Sequence, residues 1–328
     1  MATPIHCLRE EHMKDLPREV RIVEVGPRDG LQNEATHVDT EGKVQLITAL
    51  ANAGLKRIEI GSFVSPKWIP QMADGAAVAK TLQLPSDVRC SALVPNDKGY
   101  DSAIEAGLKE IALFMSATES HNKKNINKST QEAVDTLAKL AERAHKDKLF
   151  VRCYLSVVFV CPYEDKTDPK KVHELVQRLV DIGIDELSLG DTIGGATPVD
   201  VWRMIERLES TVPKDKLALH FHDTRGTALA NVLAGLEAGI TIFDSSIGGM
   251  GGCPYAPGAA GNLATEDLAY MLEGMGIKTG IDLEKLIDAG ELAERLVQHK
   301  LTGRYLQACL ATRAKSSKKD ETKVELCK

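Results

Sequence analysis

The stretch Leu219-His220-Phe221-His222-Asp223-Thr224 ends an apolar run that begins at Leu217. Side chains of an extended strand alternate between its two faces, so His220 and His222 lie on the same face. The pattern predicts two neighbouring imidazoles at the end of a strand, followed by an acidic residue and a helix-forming segment. Two hydrogen-bonded core histidines would give the same pattern, so the other polar motifs have to decide between a core and a site.

The composition is that of an ordinary globular protein. Of 328 residues, 43% are hydrophobic and 27% are charged, and the formal net charge is -6. No basic cluster is large enough to indicate nucleic-acid binding, and no apolar run is long enough to predict a membrane span. The segment 1–18 lacks the apolar core of a secretory signal. Seven cysteines without a Cys-x-x-Cys motif predict reduced thiols in a cytoplasmic protein, rather than disulfides or a zinc site.

Short β-rich runs alternate with amphipathic helical segments along the chain. Units of about 30 residues, repeated in this way, favour a closed (β/α)8 TIM barrel, with an open doubly wound sheet as the competing fold. The predicted strands are 21–25, 56–60, 88–94, 110–115, 150–157, 184–189, 216–222 and 240–245. The main predicted helices are 40–53, 97–106, 129–147, 169–182, 198–211 and 226–238.

The same alternation sets the predicted domain limits. Residues 1–19 are predicted to be a charged lead-in, and residues 20–313 a single TIM-barrel catalytic domain. Its last part, about 262–313, follows the eighth strand and is predicted to form additional C-terminal helices. Residues 314–328 are charged and are predicted to be a disordered tail.

Polar residues follow most of the predicted strands, and a barrel would bring them to one mouth, where active sites of this fold lie. Each has a simpler interpretation by itself: Arg28 and Asp29 could be a surface ion pair, and Cys253 a small buried hydrophobe. The glycines at 248–252 could form a flexible loop or a phosphate cradle, although no Walker A motif follows. The candidates are Arg28, Asp29, Gln32, Glu59, Ser62, Lys123, Lys124, Asp191, His220, His222, Cys253 and Asn262.

These residue types suit metal-assisted chemistry next to a carbonyl. Two nitrogens and two oxygens could meet at the mouth, from Asp29, His220, His222 and Asn262. Such a donor set fits six-coordinate Mg²⁺ or Mn²⁺ better than a closed zinc site. Arg28 could stabilise a developing enolate oxygen, and the Cys253 thiol could exchange a proton with carbon. The combination predicts cleavage of a carbon–carbon bond beside a carbonyl group.

Five segments match the motifs of one known family, namely residues 25–34, 62–68, 123–127, 189–194 and 251–256. They contain Arg-Asp-Gly-x-Gln and Gly-Gly-Cys-Pro-Tyr, and the His-x-His pair lies between them. From about residue 20 to 300 the chain resembles the 3-hydroxy-3-methylglutaryl-CoA (HMG-CoA) lyases, most closely the bacterial branch. The resemblance implies a TIM barrel that cleaves HMG-CoA to acetoacetate and acetyl-CoA, in leucine degradation and ketone-body formation. It also implies Mg²⁺ or Mn²⁺ as cofactor, an acyl-CoA as substrate and a homodimer.

The resemblance also implies a role for each candidate residue. Arg28 polarises the thioester carbonyl and steadies the enolate, Glu59 orients Arg28, and Cys253 donates the proton that completes acetyl-CoA. His220 also takes part in proton transfer, and Asp191 supports the site. The implied metal ligands are Asp29, His220, His222 and Asn262. We expect the substrate to contact Arg28, Gln32, Ser62, Lys123 and Lys124, although the two lysines could equally form a solvated basic loop.

Two departures from the family pattern bear on substrate choice. Gly61 stands where many members have threonine, and Val160 replaces a glycine before Cys-Pro-Tyr, where valine disfavours a positive φ. A lyase for a longer 3-hydroxy-3-alkylglutaryl-CoA, or a Claisen-type synthase on the same barrel, is therefore an alternative. Cys253 favours a lyase over a synthase. A non-catalytic protein on a decayed barrel is disfavoured because every expected ligand is present.

Overall fold

Eight parallel strands close into a barrel in the computed structural model of the chain. The structure describes residues 16–251 and 261–325, and side chains through residue 316. The barrel strands are β1 (Arg21–Glu24), β2 (Arg57–Ser62), β3 (Arg89–Leu93), β4 (Glu110–Ser116), β5 (Phe150–Ser156), β8 (Glu186–Asp191), β9 (Leu217–Phe221) and β10 (Ile242–Ser245). A short antiparallel pair, β6 (Val160–Cys161) and β7 (Asp165–Lys166), follows β5.

Helices alternate with the barrel strands and continue after the last one. They are α1 (Thr40–Asn52), α2 (Gly75–Thr81), α3 (Asp97–Glu105), α4 (Glu119–Ile126), α5 (Thr130–Lys146), α6 (Pro169–Asp181), α7 (Pro198–Leu208), α8 (Ala228–Glu237), α9 (Thr265–Gly274), α10 (Leu283–Val297) and α11 (Arg304–Glu325). Three of them are the predicted C-terminal helices. The prediction of a disordered tail from residue 314 is wrong for the backbone, because α11 continues as a helix to Glu325. Within the described ranges, no helix has the length and apolar character to cross a bilayer.

Closure of the sheet decides between the two predicted folds. Strand β1 pairs in parallel with β10 on one side and with β2 on the other, so the sheet has no free edge. All residues of β2, β8 and β9 are buried, as expected for strands enclosed by a ring of helices. The TIM-barrel prediction is confirmed, and the open doubly wound alternative is wrong.

The barrel interior contains a chain of buried ion pairs. Arg57 donates to Glu110 and Glu186 at 2.7 and 2.6 Å, and Arg152 donates to Glu186 and Asp244 at 2.7 and 2.6 Å. Arg152 is fully buried. These pairs link the interior of the barrel to the end of β9, because Asp244 also contacts His220.

We predict that Arg152→Met destabilises the protein by about 3 kcal/mol, because it leaves Asp244 without its cation in a dry interior. The free energy of unfolding from urea titration measures this loss. Arg143→Met is the matched control, since Arg143 pairs with Asp97 and Asp101 at the exposed surface and its loss should change little. Equal stability of the two variants would contradict a structural role for the interior network.

Candidate active site

The Arg28–Asp29 pair lies on a tight turn that directly follows β1. The segment Gly26–Gly30 is a π-helical turn, and the Val25 carbonyl accepts hydrogen bonds from the backbone N–H groups of residues 28, 29 and 30. Such turns are rare and frequent at functional sites. A Cβ added at Gly26 would lie 2.6 Å from the Glu24 carboxylate, so the turn requires glycine there.

Arg28 is held between two carboxylates. Its Nε donates to Glu59 Oε2 at 2.6 Å, and its NH1 group donates to Asp29 Oδ1 at 2.6 Å. The guanidinium also lies over the ring of Tyr154, whose hydroxyl donates to Glu59 at 3.1 Å. Burial alone would lower the pKa of Arg28, but Glu59 and Asp29 outweigh it and raise the pKa. The arginine is therefore a fixed cation, and its contact with Glu59 is the one that an orienting role requires.

Asp29, His220 and His222 form a group that could hold a metal ion. One ligand atom of each lies within 4.8 Å of the other two. The imidazole rings are 5.3 Å apart, so the predicted same-face placement of the two histidines is confirmed. Burial alone would raise the pKa of Asp29, but Arg28 and the histidines outweigh it and hold that pKa well below its usual range. Burial lowers the pKa of His222 to about 4, so at neutral pH this imidazole is uncharged, the form that binds metals.

Two ligand atoms at this group have no hydrogen-bond partner among the described residues, although both are buried. They are His222 Nδ1 and Asn262 Oδ1. The amide nitrogen of Asn262 donates to Asp29 Oδ2 at 2.8 Å and to the Met250 carbonyl at 3.0 Å, which leaves its oxygen as the free ligand atom. Buried polar atoms are rarely left unpaired. Nitrogen and oxygen donors of this kind fit a cation bound by Asp29, His220, His222 and Asn262.

Asp244 orients His220 from inside the barrel, a contact that sequence reasoning missed. The Nδ1 atom of His220 lies 3.2 Å from Asp244 Oδ2, and its Nε2 atom lies 4.0 Å from Asp29 Oδ2. Burial alone would raise the pKa of Asp244, but Arg152 outweighs it and the pKa falls to about 2. An ionised partner fixes which ring nitrogen of His220 faces the site, as carboxylates do for metal-binding histidines. The only sequence signal was an acid within the apolar run of the eighth strand.

Asp191 is buried beside the site and its hydrogen bonds go to its own loop. Its two oxygens accept from the backbone N–H groups of Gly195 and Ala196 at 2.9 and 3.0 Å. Burial raises the pKa of Asp191 to about 6, although the two amides and the nearby His220 oppose the shift. These contacts brace the loop after β8, and Asp191 does not belong to the metal-binding group.

The residues predicted to contact the substrate differ in burial and in whether their polar atoms already have a hydrogen-bond partner. Gln32 Oε1 is buried and has no partner among the described residues, so it is free to bind a donor. Ser62 is buried, and its hydroxyl accepts from the Val64 N–H at 3.2 Å. Lys123 and Lys124 are exposed on α4, and the Lys124 ammonium lies 5.2 Å from the centre of the Tyr163 ring.

Cys253 lies outside the described residues, but the segments on both sides of it are described. At Gly251 an added Cβ would lie 2.8 Å from Asn262 Nδ2, so the backbone there packs directly on a proposed ligand. On the other side, the Gly261 carbonyl accepts from the Asp223 N–H at 2.7 Å, one residue from His222. Gly251 and Gly261, the described residues on either side of the segment that contains Cys253, therefore both lie at the metal-binding group.

Comparison with known proteins identifies the family. A sequence model described as HMGL-like matches residues 19–293. The chain is 52% identical to hydroxymethylglutaryl-CoA lyase YngG of Bacillus subtilis, over 89% of this chain and 97% of that protein. It is 48% identical to the 3-hydroxy-3-isohexenylglutaryl-CoA/hydroxy-methylglutaryl-CoA lyase of Pseudomonas aeruginosa, over 84% of this chain and 92% of that one.

A solved relative extends the comparison to three dimensions. The structure of an HMG-CoA lyase from Acinetobacter baumannii in complex with coenzyme A and 3-methylmalate superposes with a TM-score of 0.85 at 40% identity. The match covers 89% of this chain and 95% of that chain. The resemblance seen in the motifs is thus confirmed over most of the sequence. The chain therefore belongs to the HMGL-like family and, within it, to the hydroxymethylglutaryl-CoA lyases.

Proposed function

We propose that the protein cleaves HMG-CoA into acetoacetate and acetyl-CoA with the help of a bound divalent cation. The observation that carries this proposal is the group of Asp29, His220 and His222 beside a carboxylate-held Arg28. The names of its relatives support the substrate and the reaction. We place the reaction in leucine degradation and ketone-body formation, in a cytoplasmic homodimer whose catalytic domain is residues 20–313.

Mg²⁺ or Mn²⁺ is the cation that the donor set suits best. The two imidazoles, the carboxylate and the amide oxygen leave room for substrate oxygens, and no thiolate among the described residues joins the group. When bound, such an ion acts as a Lewis acid on substrate oxygens and lowers the pKa of a hydroxyl. The proposed ligands are Asp29, His220, His222 and Asn262.

Three side chains of the protein carry out the other steps: proton removal, enolate stabilisation and proton donation. The tertiary hydroxyl would lose its proton at this site, a step in which His220 takes part, and the electrons of the O–H bond form the C=O bond of acetoacetate as the adjacent carbon–carbon bond breaks. The electrons of that bond form the enolate of acetyl-CoA, whose oxygen is stabilised by the Arg28 guanidinium. Cys253 then gives its proton to the enolate carbon. The proton lost by the hydroxyl is matched by a proton that restores the Cys253 thiol, so the net reaction consumes no proton and leaves the protein unchanged.

Chain connectivity supports a role for Cys253. It is two residues from Gly251, and two residues span at most about 7 Å. Gly251 packs against Asn262 and Gly30. This short connection is compatible with a thiol that acts on a substrate bound at the metal-binding group.

A second candidate substrate is a longer 3-hydroxy-3-alkylglutaryl-CoA. The Pseudomonas aeruginosa relative is named for an isohexenyl as well as a methyl substrate. A Cβ added at Gly61 would lie 3.7 Å from the Gly75 Cα on α2, an ordinary contact on the helix side of β2, so this departure does not itself enlarge the substrate site. Val160 lies in strand β6 and is not among the residues with positive φ, so the hairpin takes a backbone that valine tolerates.

A substrate panel tests the proposed function. We expect acetyl-CoA release from HMG-CoA that stops when EDTA is added and returns with Mn²⁺ or Mg²⁺, because the cation activates the hydroxyl. Larger 3-alkyl homologues should react more slowly. Faster turnover of the isohexenyl compound would make the longer substrate the natural one, and no release from any of them would refute a lyase.

The thiol is tested by Cys253→Ala. We expect turnover to fall about a hundredfold or more, because proton transfer to the enolate is lost, while Mn²⁺ affinity stays unchanged. Acetyl-CoA release and Mn²⁺ titration by EPR measure the two effects. Cys309→Ala is the matched control, since Cys309 is a half-buried free cysteine on α11. Near-normal turnover of the Cys253 variant would remove the thiol from the mechanism.

The ligand assignment is tested by Asp29→Ala. We expect Mn²⁺ to bind at least about tenfold more weakly, because an ionised ligand is removed. Asp168→Ala is the control, since Asp168 caps α6 at the surface and should leave Mn²⁺ affinity unchanged. Equal Mn²⁺ affinity of the Asp29 variant and the unmodified protein would contradict the assignment.

A further inference from the structure

Two fully buried carboxylates, Glu24 and Glu266, have no part in the proposed chemistry. Buried acids are usually paired with a cation or hydrogen-bonded to several donors. In the part of the chain that the structure describes, the donors to these two are backbone N–H groups and one hydroxyl. The positions of these donors show which segments the two carboxylates connect.

Glu24 joins three segments at the mouth of the barrel. Its Oε1 atom accepts from the Gly26 N–H at 2.8 Å and from the Ile247 N–H at 2.9 Å. Its Oε2 atom accepts from the Thr265 hydroxyl at 2.6 Å. Gly26 begins the turn that carries Arg28 and Asp29, and Ile247 follows β10. The Glu24 carboxylate thus connects the turn after β1 with Ile247 and Thr265, which precede and follow Cys253 in the sequence.

Glu266 holds the next residue of the same segment. Both of its oxygens accept from the Gly248 N–H, at 3.0 and 2.8 Å. Gly248 has a φ of 63°, and a Cβ added there would lie 2.3 Å from Leu301 Cδ1, so only glycine fits. The backbone N–H groups of residues 247 and 248 therefore both end on buried carboxylates.

We call residues 247–251 the stem, because they lead from β10 toward Cys253 along the chain. At its far end, the Met250 carbonyl accepts from Asn262 Nδ2 at 3.0 Å, and that amide also donates to Asp29. The stem is thus attached to the two carboxylates at its start and to the metal-binding group at its end. A displacement of its start would therefore strain the contact between Met250 and Asn262 at its end.

We propose that Glu24 and Glu266 are positioning residues that fix the stem relative to the Arg28–Asp29 turn, and so hold the Met250 carbonyl on the amide of Asn262. The inference rests on the proposed lyase function. It assigns neither acid to the chemistry, since both act through the backbone of the stem.

The acids act as hydrogen-bond acceptors, and their charge is secondary. Burial raises the pKa of Glu24 to about 7, against the opposing effect of its hydrogen bonds, and burial raises the pKa of Glu266 to about 8. Because the donors are neutral N–H and O–H groups, the amide oxygen of glutamine can replace a carboxylate oxygen in either side chain. In Glu24→Gln the amide oxygen can still accept from Gly26 and Ile247. Its NH₂ group can donate to Thr265, whose hydroxyl contacts Ser245 at 2.8 Å.

The test compares alanine and glutamine variants of Glu24 and Glu266 in the full chain with saturating Mn²⁺. Two readouts are measured: steady-state cleavage of HMG-CoA, and hydrogen–deuterium exchange of peptides that cover the stem. We expect the alanine variants to lose about tenfold or more in kcat with KM within about twofold, because the stem and the amide of Asn262 are misaligned while substrate binding is retained. The stem amides should exchange faster in the same variants. The glutamine variants should keep kcat and stem protection within about threefold.

Leu179→Ala is the control for a general loss of stability. Leu179 is fully buried on α6 against the outside of the barrel, and its truncation lowers stability without contact with the stem. We expect it to keep kcat and stem protection. Glu24→Asp is the second variant if an alanine variant fails to fold. It keeps the charge but withdraws the acceptor, so it should lose stem protection and kcat.

Each outcome has a defined meaning. Unchanged stem exchange in the alanine variants, or in Glu24→Asp, overturns the proposal whatever the activity. Faster stem exchange with normal kcat overturns the positioning role and leaves the lyase intact. If the unmodified protein does not cleave HMG-CoA, the proposed function fails, and the exchange data still decide whether the acids hold the stem.

Discussion

The carboxylate of Asp29 is the contact on which the site depends. It accepts from Arg28 through one oxygen and from Asn262 through the other, and the second oxygen lies 4.0 Å from His220. These partners come from the turn after β1, the segment after the glycine-rich loop and the end of β9. No short stretch of chain could bring them together, so the site exists only because the barrel closes. Closure places the first and last strands side by side, with β1 paired to β10.

The charged side chains inside the barrel have to be paired with one another. Burying an unpaired ion costs several kcal/mol, so the interior arginines and acids have to form a continuous network. That network connects Arg57 to Glu186, Arg152 and Asp244 and ends at His220. The orientation of the His220 imidazole therefore depends on this row of buried ion pairs. A second series of hydrogen bonds leads from Arg152 through Tyr154 and Glu59 to Arg28. His220 and Arg28 are therefore both connected to Arg152.

The sequence was sufficient for much of the fold and for the ligands. Strand ends were predicted to within a few residues, because apolar β-rich runs and helix caps are local signals. His220 and His222 could be placed on one face from the period of a strand alone. Asp29 and Asn262 could be placed at the same mouth because loops after parallel strands share one end of a barrel.

The side-chain contacts that could not be predicted from the sequence depend on the register between strands and on tertiary packing. Asp244, Arg152 and Tyr154 read as isolated polar residues within apolar strands, and only the offset between neighbouring strands shows that they meet. Asp191 was expected to support the site. Its exact partners, the amides of Gly195 and Ala196, depend on the path of the loop. Residues 314–325 were predicted to be disordered because they offer little apolar surface. Their alanine, lysine and glutamate content nevertheless favours the helix that α11 forms.

The most direct test of the account is the nitrogen modulation in the electron spin echo of the Mn²⁺-loaded protein, which reports imidazoles bound to the metal. We predict a signal from two histidine nitrogens that falls to one in His222→Ala. Mn²⁺ bound without nitrogen modulation, or a signal unaffected by that substitution, would show that the cation does not lie between Asp29 and the two histidines.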